Sequence, residues 1–185
     1  MTILVNEAPP SDITYSPDSF TLTIGTAMTN SVTPTVNGDP ATSWSISPSL
    51  PTGISFGTNN GTIWGTPTII SASTAYTVTA VNNGGSGTAT ITMQVNDIAP
   101  SSINYSPSSL SLAKDSQMSD LMPTAQGGDV VTWSILPALP SGLSIDSSTG
   151  TISGTPTVMS PSTSYTVTAT NTGGSATATL TIVVN

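Results

Sequence analysis

The sequence predicts an all-β protein made of two tandem β-sandwich domains with about seven strands each. The first observation is composition: 16 Gly and 15 Pro among 185 residues supply turns, and abundant Thr suits a pleated, half-buried surface. The second is a duplicated unit of about 90 residues. The third is a hydrophobic period of two, which places alternate side chains on opposite faces of a strand. No segment has a useful helical period, so helices are not expected.

The duplication is visible in several motifs. Trp44-Ser-Ile46 recurs as Trp133-Ser-Ile135, and Tyr76-Thr-Val-Thr-Ala80 recurs as Tyr165-Thr-Val-Thr-Ala169. Self-similarity at a fixed period is the signature of a repeat architecture. We therefore predict two repeats, 7–96 and 97–185.

The first residues resemble the end of a repeat. Thr2-Ile-Leu-Val5-Asn6 has the same pattern as Thr92-Met-Gln-Val95-Asn96, which closes the first repeat. Residues 1–6 are therefore predicted to be the last strand of a preceding repeat, in a longer array. Such a strand has an apolar face and unpaired backbone groups, so it favours homo-association by strand donation and a filament as an alternative role.

Alternation is clearest in the last strands of each repeat. Ala89, Ile91, Met93 and Val95 occupy one face of a strand whose other face carries Thr and Gln. The preceding Asn82-Asn-Gly84-Gly85 has the composition of a hairpin turn, because Asn and Gly adopt positive φ readily. The strands predicted for the first repeat are, in order, 19–24, 32–36, 42–47, 54–56, 62–64, 75–82 and 87–95.

Seven short strands in each repeat, separated by frequent turns, are typical of an immunoglobulin-type sandwich, here without a disulfide. The run Leu139-Pro-Ser-Gly-Leu-Ser-Ile-Asp-Ser-Ser-Thr-Gly-Thr-Ile-Ser-Gly-Thr-Pro156, followed by Tyr165-Thr-Val-Thr-Ala169, resembles the He-PIG type of Ig domain. That family is similar to dystroglycan-type cadherin-like domains. The resemblance implies tandem modules of large microbial surface proteins, acting as stalks, spacers or adhesins; fold alone does not give function.

Composition excludes several function classes. A net charge of −8 with one basic residue, Lys114, lacks the positive surface that nucleic acid requires. The absence of His and Cys excludes Ser-His-Asp and Cys-His catalysis and thiolate-bound zinc. No apolar run reaches the roughly 18 residues of a membrane-spanning helix, so membrane insertion is not expected. The carboxylates fall mostly in predicted turns, where they stay hydrated, and no enzyme is predicted.

Four aromatic residues are expected to mark the two cores, and a fifth stands apart. Trp44 and Trp133 occupy equivalent places in an alternating strand, as do Tyr76 and Tyr165. Trp64, in contrast, corresponds to Ser153 in the second repeat and is therefore expected to face solvent. An exposed Trp can contact a sugar ring or a protein partner, because a flat aromatic buries a large area at low entropic cost.

The cadherin-like resemblance implies Ca²⁺ as a cofactor at domain junctions. Glu7, Asp12 and Asp97 lie at the two predicted junctions. A Ca²⁺ ion takes six to eight oxygen ligands, usually including several carboxylates. The remaining acidic motifs of cadherins are missing, so no cofactor is predicted, with Ca²⁺ kept as an alternative.

Two functional classes follow. The first is a non-catalytic structural or spacer segment of an extracellular or cell-surface protein, whose partners are neighbouring repeats of the same chain. The second is an adhesive or carbohydrate-binding module that contacts a surface glycan or protein through Trp64 and loop tips. The scarcity of Lys and Arg leaves few sites for trypsin-like proteases, which favours an extracellular location.

Overall fold

The computed structural model describes residues 7–185, which divide into two compact units at the Asn96–Asp97 bond. We call residues 7–96 unit 1 and residues 97–185 unit 2. The prediction made for residues 1–6 lies outside the described residues. Between residues 7 and 185 there is no helix long and apolar enough to cross a membrane.

Each unit contains eight β-strands. Those of unit 1 are β1 (Ser11–Thr14), β2 (Ser19–Thr23), β3 (Thr35–Asn37), β4 (Ser43–Ser47), β5 (Ile54–Phe56), β6 (Ile63–Gly65), β7 (Ser71–Asn82) and β8 (Gly85–Asn96). Those of unit 2 are β9 (Pro100–Tyr105), β10 (Ser109–Leu112), β11 (Pro123–Gly127), β12 (Thr132–Leu136), β13 (Leu143–Ile145), β14 (Ile152–Gly154), β15 (Ser160–Asn171) and β16 (Gly174–Val184). The all-β prediction is confirmed.

The strands of unit 1 form the two layers of an immunoglobulin-type sandwich. One layer is a four-stranded sheet in the order β2-β8-β7-β4. The other contains the pairs β1–β3 and β5–β6, which an isolated bridge between Val32 and Ile63 connects. Unit 2 repeats this arrangement, with a sheet in the order β10-β16-β15-β12 and a bridge between Leu121 and Ile152.

In each four-stranded sheet, the strands that come first and last along the chain are neighbours and run parallel. In unit 1, β2 pairs with β8 from Ser19 opposite Thr92 to Thr23 opposite Asn96. In unit 2, β10 pairs with β16 in the corresponding register. All other strand pairs within the units are antiparallel. The second strand of each unit is therefore hydrogen-bonded to the last strand of the same unit.

The period of two places one face of each long strand in the core. Along β8, Ile91, Met93 and Val95 are buried while the residues between them are partly exposed. The four aromatic core markers lie in the two cores as expected: Trp44 and Tyr76 in unit 1, Trp133 and Tyr165 in unit 2. Burying such side chains is the main source of stability in domains of this size.

Each unit has one strand more than the sequence analysis gave. The additional strand is β1 in unit 1 and β9 in unit 2. Both contain a bulge at which a residue other than Gly has a positive φ, 45° at Asp12 and 49° at Ser102. A bulge interrupts the alternation of side chains, so a pattern search does not detect these strands.

Candidate functional site

The β5–β6 hairpin of unit 1 carries the exposed Trp64. Ile54, Ser55 and Phe56 pair with Gly65, Trp64 and Ile63, respectively. Because directly opposed residues share a face, Trp64 lies on the face of Ser55. Ile63 on the opposite face is fully buried, whereas 43% of the Trp64 surface is exposed. Trp64 is thus directed outward by the alternation that directs Ile63 inward.

Trp64 borders an open groove of about 660 Å³. The other walls come from the β5–β6 turn and from Ser31, and they include Phe56, Asn59 and Asn60. No lining residue of this groove carries a formal charge. Its volume falls within the range of about 300–1,000 Å³ found for small-ligand sites.

The β5–β6 turn that lines the groove is stabilised by backbone hydrogen bonds within the turn. Gly61 N donates to Gly57 O at 2.7 Å, and Gly57 N donates to Thr62 O at 2.8 Å. The side-chain oxygen of Asn60 accepts the Thr62 N–H at 3.1 Å. This bond fixes the Asn60 side chain, and its amide nitrogen has no hydrogen-bond partner among residues 7–185.

Unit 2 has the same turn but different side chains. Asp146 replaces Gly57, and Asp146 N donates to Thr151 O at 2.9 Å while Gly150 N donates to Asp146 O at 2.8 Å. Ser153 takes the place of Trp64 opposite Ser144. The backbone scaffold is therefore common to both units, and the aromatic groove-lining chemistry belongs to unit 1.

A hydrogen bond from a buried tyrosine, which the sequence analysis missed, holds the turn of this hairpin. The hydroxyl of the buried Tyr15 donates to Gly61 O at 2.6 Å. In unit 2, Tyr105 donates to Gly150 O at the same distance. Burial raises the pKa of Tyr15 well above its usual range and raises that of Tyr105 to about 12. The repeated motif Ile13-Thr-Tyr15 was visible in the sequence, but its partner is distant along the chain.

A buried Asn in each unit, also missed, connects the first residues of the unit to the last hairpin. Asn82 Nδ2 donates to Ala8 O at 2.7 Å, and its Oδ1 accepts the Gly84 N–H at 2.8 Å. Asn171 makes the corresponding bonds to Ile98 O and the Gly173 N–H, at 2.7 and 2.8 Å. These bonds satisfy a buried amide, whose isolated burial would be costly.

The three acidic residues considered for calcium have protein partners. Glu7 Oε2 accepts the Asn83 N–H at 3.1 Å, and Asp12 Oδ2 accepts the Asn37 amide at 3.2 Å. In unit 2, Asp97 Oδ1 accepts the Ile98 N–H at 2.7 Å. Within the described part of the chain, no three or more His, Cys, Asp or Glu residues are grouped closely enough to hold a metal ion. The calcium alternative stays a prediction.

The side chain of Asp146 stabilises the β13–β14 turn of unit 2. Its Oδ1 accepts the Ser148 N–H at 2.7 Å and the Thr149 N–H at 3.0 Å. These two backbone bonds, that from Ser148 first, lower the pKa of the Asp146 carboxyl below its usual range. Hydrogen bonds to the ionised form stabilise the ionised form.

We expect a carbon-13 NMR titration of the full chain to give Asp146 a pKa below the usual Asp value. A lowered pKa in the folded state stabilises unit 2 above the pKa of the unfolded chain, and this contribution is lost as pH falls through the folded-state pKa. The variant Asp146→Gly, which installs the residue of unit 1, should reduce the loss of unit 2 stability on acidification. A pKa at or above the usual value would contradict the assignment.

Relatives of the chain are large adhesins. The chain is 32% identical over 160 residues to the serine-rich adhesin for platelets of Staphylococcus aureus strain MRSA252, an alignment that covers 86% of this chain and 12% of the adhesin. The same adhesin of strain USA300 is 32% identical over 144 residues, or 77% of this chain and 6% of that one. The chain therefore spans a small fraction of the length of these relatives.

Solved structures and a family model agree with the fold. The N-terminal eight Ig domains of Down syndrome cell adhesion molecule match all of this chain and 28% of that one, with a TM-score of 0.55 and 15% identity. Extracellular domains 3–5 of Drosophila OTK match 94% of this chain and 62% of that one, with a TM-score of 0.54 and 17% identity. The family model described as "Putative Ig domain" (He_PIG) matches residues 10–96 and 100–185. The chain belongs to this family of immunoglobulin-like domains and contains two tandem copies of it.

Proposed function

We propose that the chain is a non-catalytic spacer segment of a larger extracellular or cell-surface protein, in which serial Ig-like units transmit tension along the polypeptide. Membership of the He-PIG family and similarity to a surface adhesin support this role. Ig-like domains are in general not enzymes, and the carboxylates of Glu7, Asp12 and Asp97 accept hydrogen bonds within their own units. The partners of the segment are then neighbouring repeats of the same chain.

This proposal rests on the parallel pairing of β2 with β8 in unit 1 and of β10 with β16 in unit 2. When a unit is stretched through its ends, β2 is drawn towards the N terminus and β8 towards the C terminus. Because β2 and β8 are parallel, these opposite pulls act along the strands and load their hydrogen bonds simultaneously. Two further backbone bonds lie at the ends of this ladder. Thr92 N donates to Asp18 O at 2.8 Å at one end, and Ile24 N donates to Asn96 O at 2.9 Å at the other.

Unit 2 has the same load-bearing geometry. Thr181 N donates to Ser108 O at 2.9 Å, and Lys114 N donates to Asn185 O at 2.8 Å. The ladder between β10 and β16 lies between these two bonds. Each unit can therefore resist extension by itself, as a series of spacers requires.

Single-molecule force spectroscopy tests the proposal by changing the direction of pulling. The chain contains no Cys, so Asn83→Cys provides a unique attachment point at the exposed β7–β8 turn. Pulling between the N terminus and residue 83 loads the β2–β8 ladder from one end, so its bonds break in succession. We expect the unfolding force of unit 1 to be clearly higher when the chain is pulled through its two termini.

The control is the stability of the unstretched protein. Asn83 is exposed and its side chain makes no hydrogen bond among the described residues, so Asn83→Cys should leave the denaturant midpoint unchanged. Equal unfolding forces in the two pulling directions would overturn the load-bearing role.

An adhesive or carbohydrate-binding role is the second candidate, and the groove beside Trp64 favours it. Assembly into filaments by strand donation is a third prediction. It concerns residues 1–6, which lie outside the described part of the chain.

A further inference from the structure

We propose that the groove beside Trp64 binds a neutral oligosaccharide. We define the Trp64 groove by its lining residues, which are Ser31, residues 56–60, Thr62 and Trp64. This binding site extends the spacer role and does not depend on load bearing, so the two can fail separately.

The aromatic wall is the first argument. The outward face of Trp64 is a flat apolar surface of the kind that the C–H face of a pyranose covers well, and 43% of this residue is exposed. The alternation along β6 directs Trp64 outward because the preceding Ile63 is fully buried on the other face. A rigid aromatic contributes a large contact area at low entropic cost.

Amide groups beside the Trp supply the polar half of a sugar site. Asn59 and Asn60 are exposed on the turn that borders Trp64. The Asn60 oxygen accepts the Thr62 N–H, and the Asn60 amide nitrogen has no partner among residues 7–185, so it is available as a donor beside the groove. Asn59 offers both a donor and an acceptor, since its side chain makes no hydrogen bond within residues 7–185. Sugar hydroxyls donate and accept hydrogen bonds, and a side-chain amide matches both functions.

Charge selects a neutral ligand. The groove lining has no charged residue, and the chain as a whole carries a net charge of −8. A sulfated or sialylated glycan would meet no cation in the groove and a repulsive field around it. A neutral sugar avoids both penalties.

The dimensions of the surface favour several sugar units rather than one. A second depression of about 570 Å³ starts at Ser31, which it shares with the Trp64 groove, and continues along the edge strand β2 past Phe20 and Thr21. The two depressions share this one lining residue and are therefore neighbours on unit 1. A single monosaccharide would fill only part of the space that they offer.

The duplication within the chain allows the β5–β6 hairpin of unit 1 to be compared with the same hairpin in unit 2. From Gly53 to Gly65 the units share three glycines (Gly53, Gly61 and Gly65) and the buried Ile63, and every differing position except Ile54 lines the Trp64 groove. The aromatic residues Phe56 and Trp64 correspond to Ile145 and Ser153, and the amides of Asn59 and Asn60 correspond to Ser148 and Thr149. Within this hairpin, the residues that maintain the backbone scaffold are therefore kept, whereas most of the side chains that line the groove differ.

The test uses nitrogen-15 NMR of the full chain, which contains three Trp residues. The probes are the neutral hexasaccharides cellohexaose, maltohexaose, chitohexaose and mannohexaose at millimolar concentration, with a heparin hexasaccharide as the anionic comparison. We expect at least one neutral probe to shift the indole N–H signal of Trp64 in a saturable manner. The signal of the buried Trp133, which lies in unit 2, should not move, so it serves as the internal control.

The matched variant is Trp64→Ser, because unit 2 carries Ser at this place in the same hairpin. It should fold normally and weaken binding about tenfold or more, which corresponds to the loss of about 1.4 kcal/mol of stacking free energy. The reciprocal variant Ser153→Trp with Thr149→Asn should add a weak second site in unit 2. The absence of a Trp64 shift with all four neutral probes, unchanged affinity in Trp64→Ser, or preference for the heparin probe would overturn the proposal. Contact with a protein through Trp64 without any saccharide response would also overturn it.

Discussion

Replacing Trp133 by Ala should lower the free energy of unfolding of unit 2 by about 3–5 kcal/mol, because truncating a buried aromatic removes its apolar contacts and leaves a cavity. Trp133 is 7% exposed and belongs to the same core cluster as Tyr105 and Tyr165. Trp44→Ala should have the same effect in unit 1, where Trp44 is also 7% exposed. A loss of this size is a large fraction of the stability of a small domain.

The two units must be followed separately to measure this effect. Amide hydrogen exchange, read by mass spectrometry on peptides from each unit, reports both unfolding equilibria in the full chain. Trp133→Ala should accelerate exchange throughout unit 2 more than in unit 1. Trp64→Ala is the control, since Trp64 is 43% exposed and its removal opens no internal cavity. Equal losses for Trp44→Ala and Trp64→Ala would contradict the core assignment.

Regular alternation made the long strands the easiest to predict from the sequence. β8 alternates over its whole length, so its core residues Ile91, Met93 and Val95 followed from the period alone. β1 could not be found in this way, because the bulge at Asp12 breaks the alternation within a four-residue strand. The start of β7 at Ser71 is similarly hidden by a register shift before Thr74. Local irregularity, rather than weak hydrophobicity, separates the predicted strands from the missed ones.

The candidate site was only partly predictable, for a different reason. Comparison of Trp64 with Ser153 was enough to predict exposure of the Trp, and the structure has it exposed. Nothing in the local pattern indicated that Asn60 and Phe56 border the same groove, since this depends on the path of the turn in space. The contact of Tyr15 with Gly61 joins residues 46 positions apart, and a periodicity argument does not extend over such a distance.

The second large effect is expected at the turn Gly beneath each core Trp. Gly61 has a φ of 69°, and a Cβ at this position would lie 2.6 Å from Trp44 Cε3. Gly150, with a φ of 72°, would place a Cβ 2.6 Å from Trp133 Cδ2. Backbone strain at positive φ and overpacking against the ring therefore add, and Gly61→Ala or Gly150→Ala should cost about 2–4 kcal/mol in its own unit. The turn must also shift the carbonyl to which the buried Tyr hydroxyl donates.

Gly25→Ala separates the two contributions in the same protein. Gly25 has a φ of 73°, close to that of Gly61, yet a Cβ there would meet no atom within 4 Å. Its counterpart in unit 2 is Asp115, which adopts a φ of 59°, so a side chain at this position is compatible with the fold. Gly25→Ala should therefore cost only the conformational penalty, about 1 kcal/mol. If hydrogen exchange in unit 1 responds equally to Gly25→Ala and Gly61→Ala, the Trp ring yields to the added methyl group and positive φ is the only constraint. A larger loss of unfolding free energy for Gly61→Ala assigns the difference to packing of the turn against Trp44.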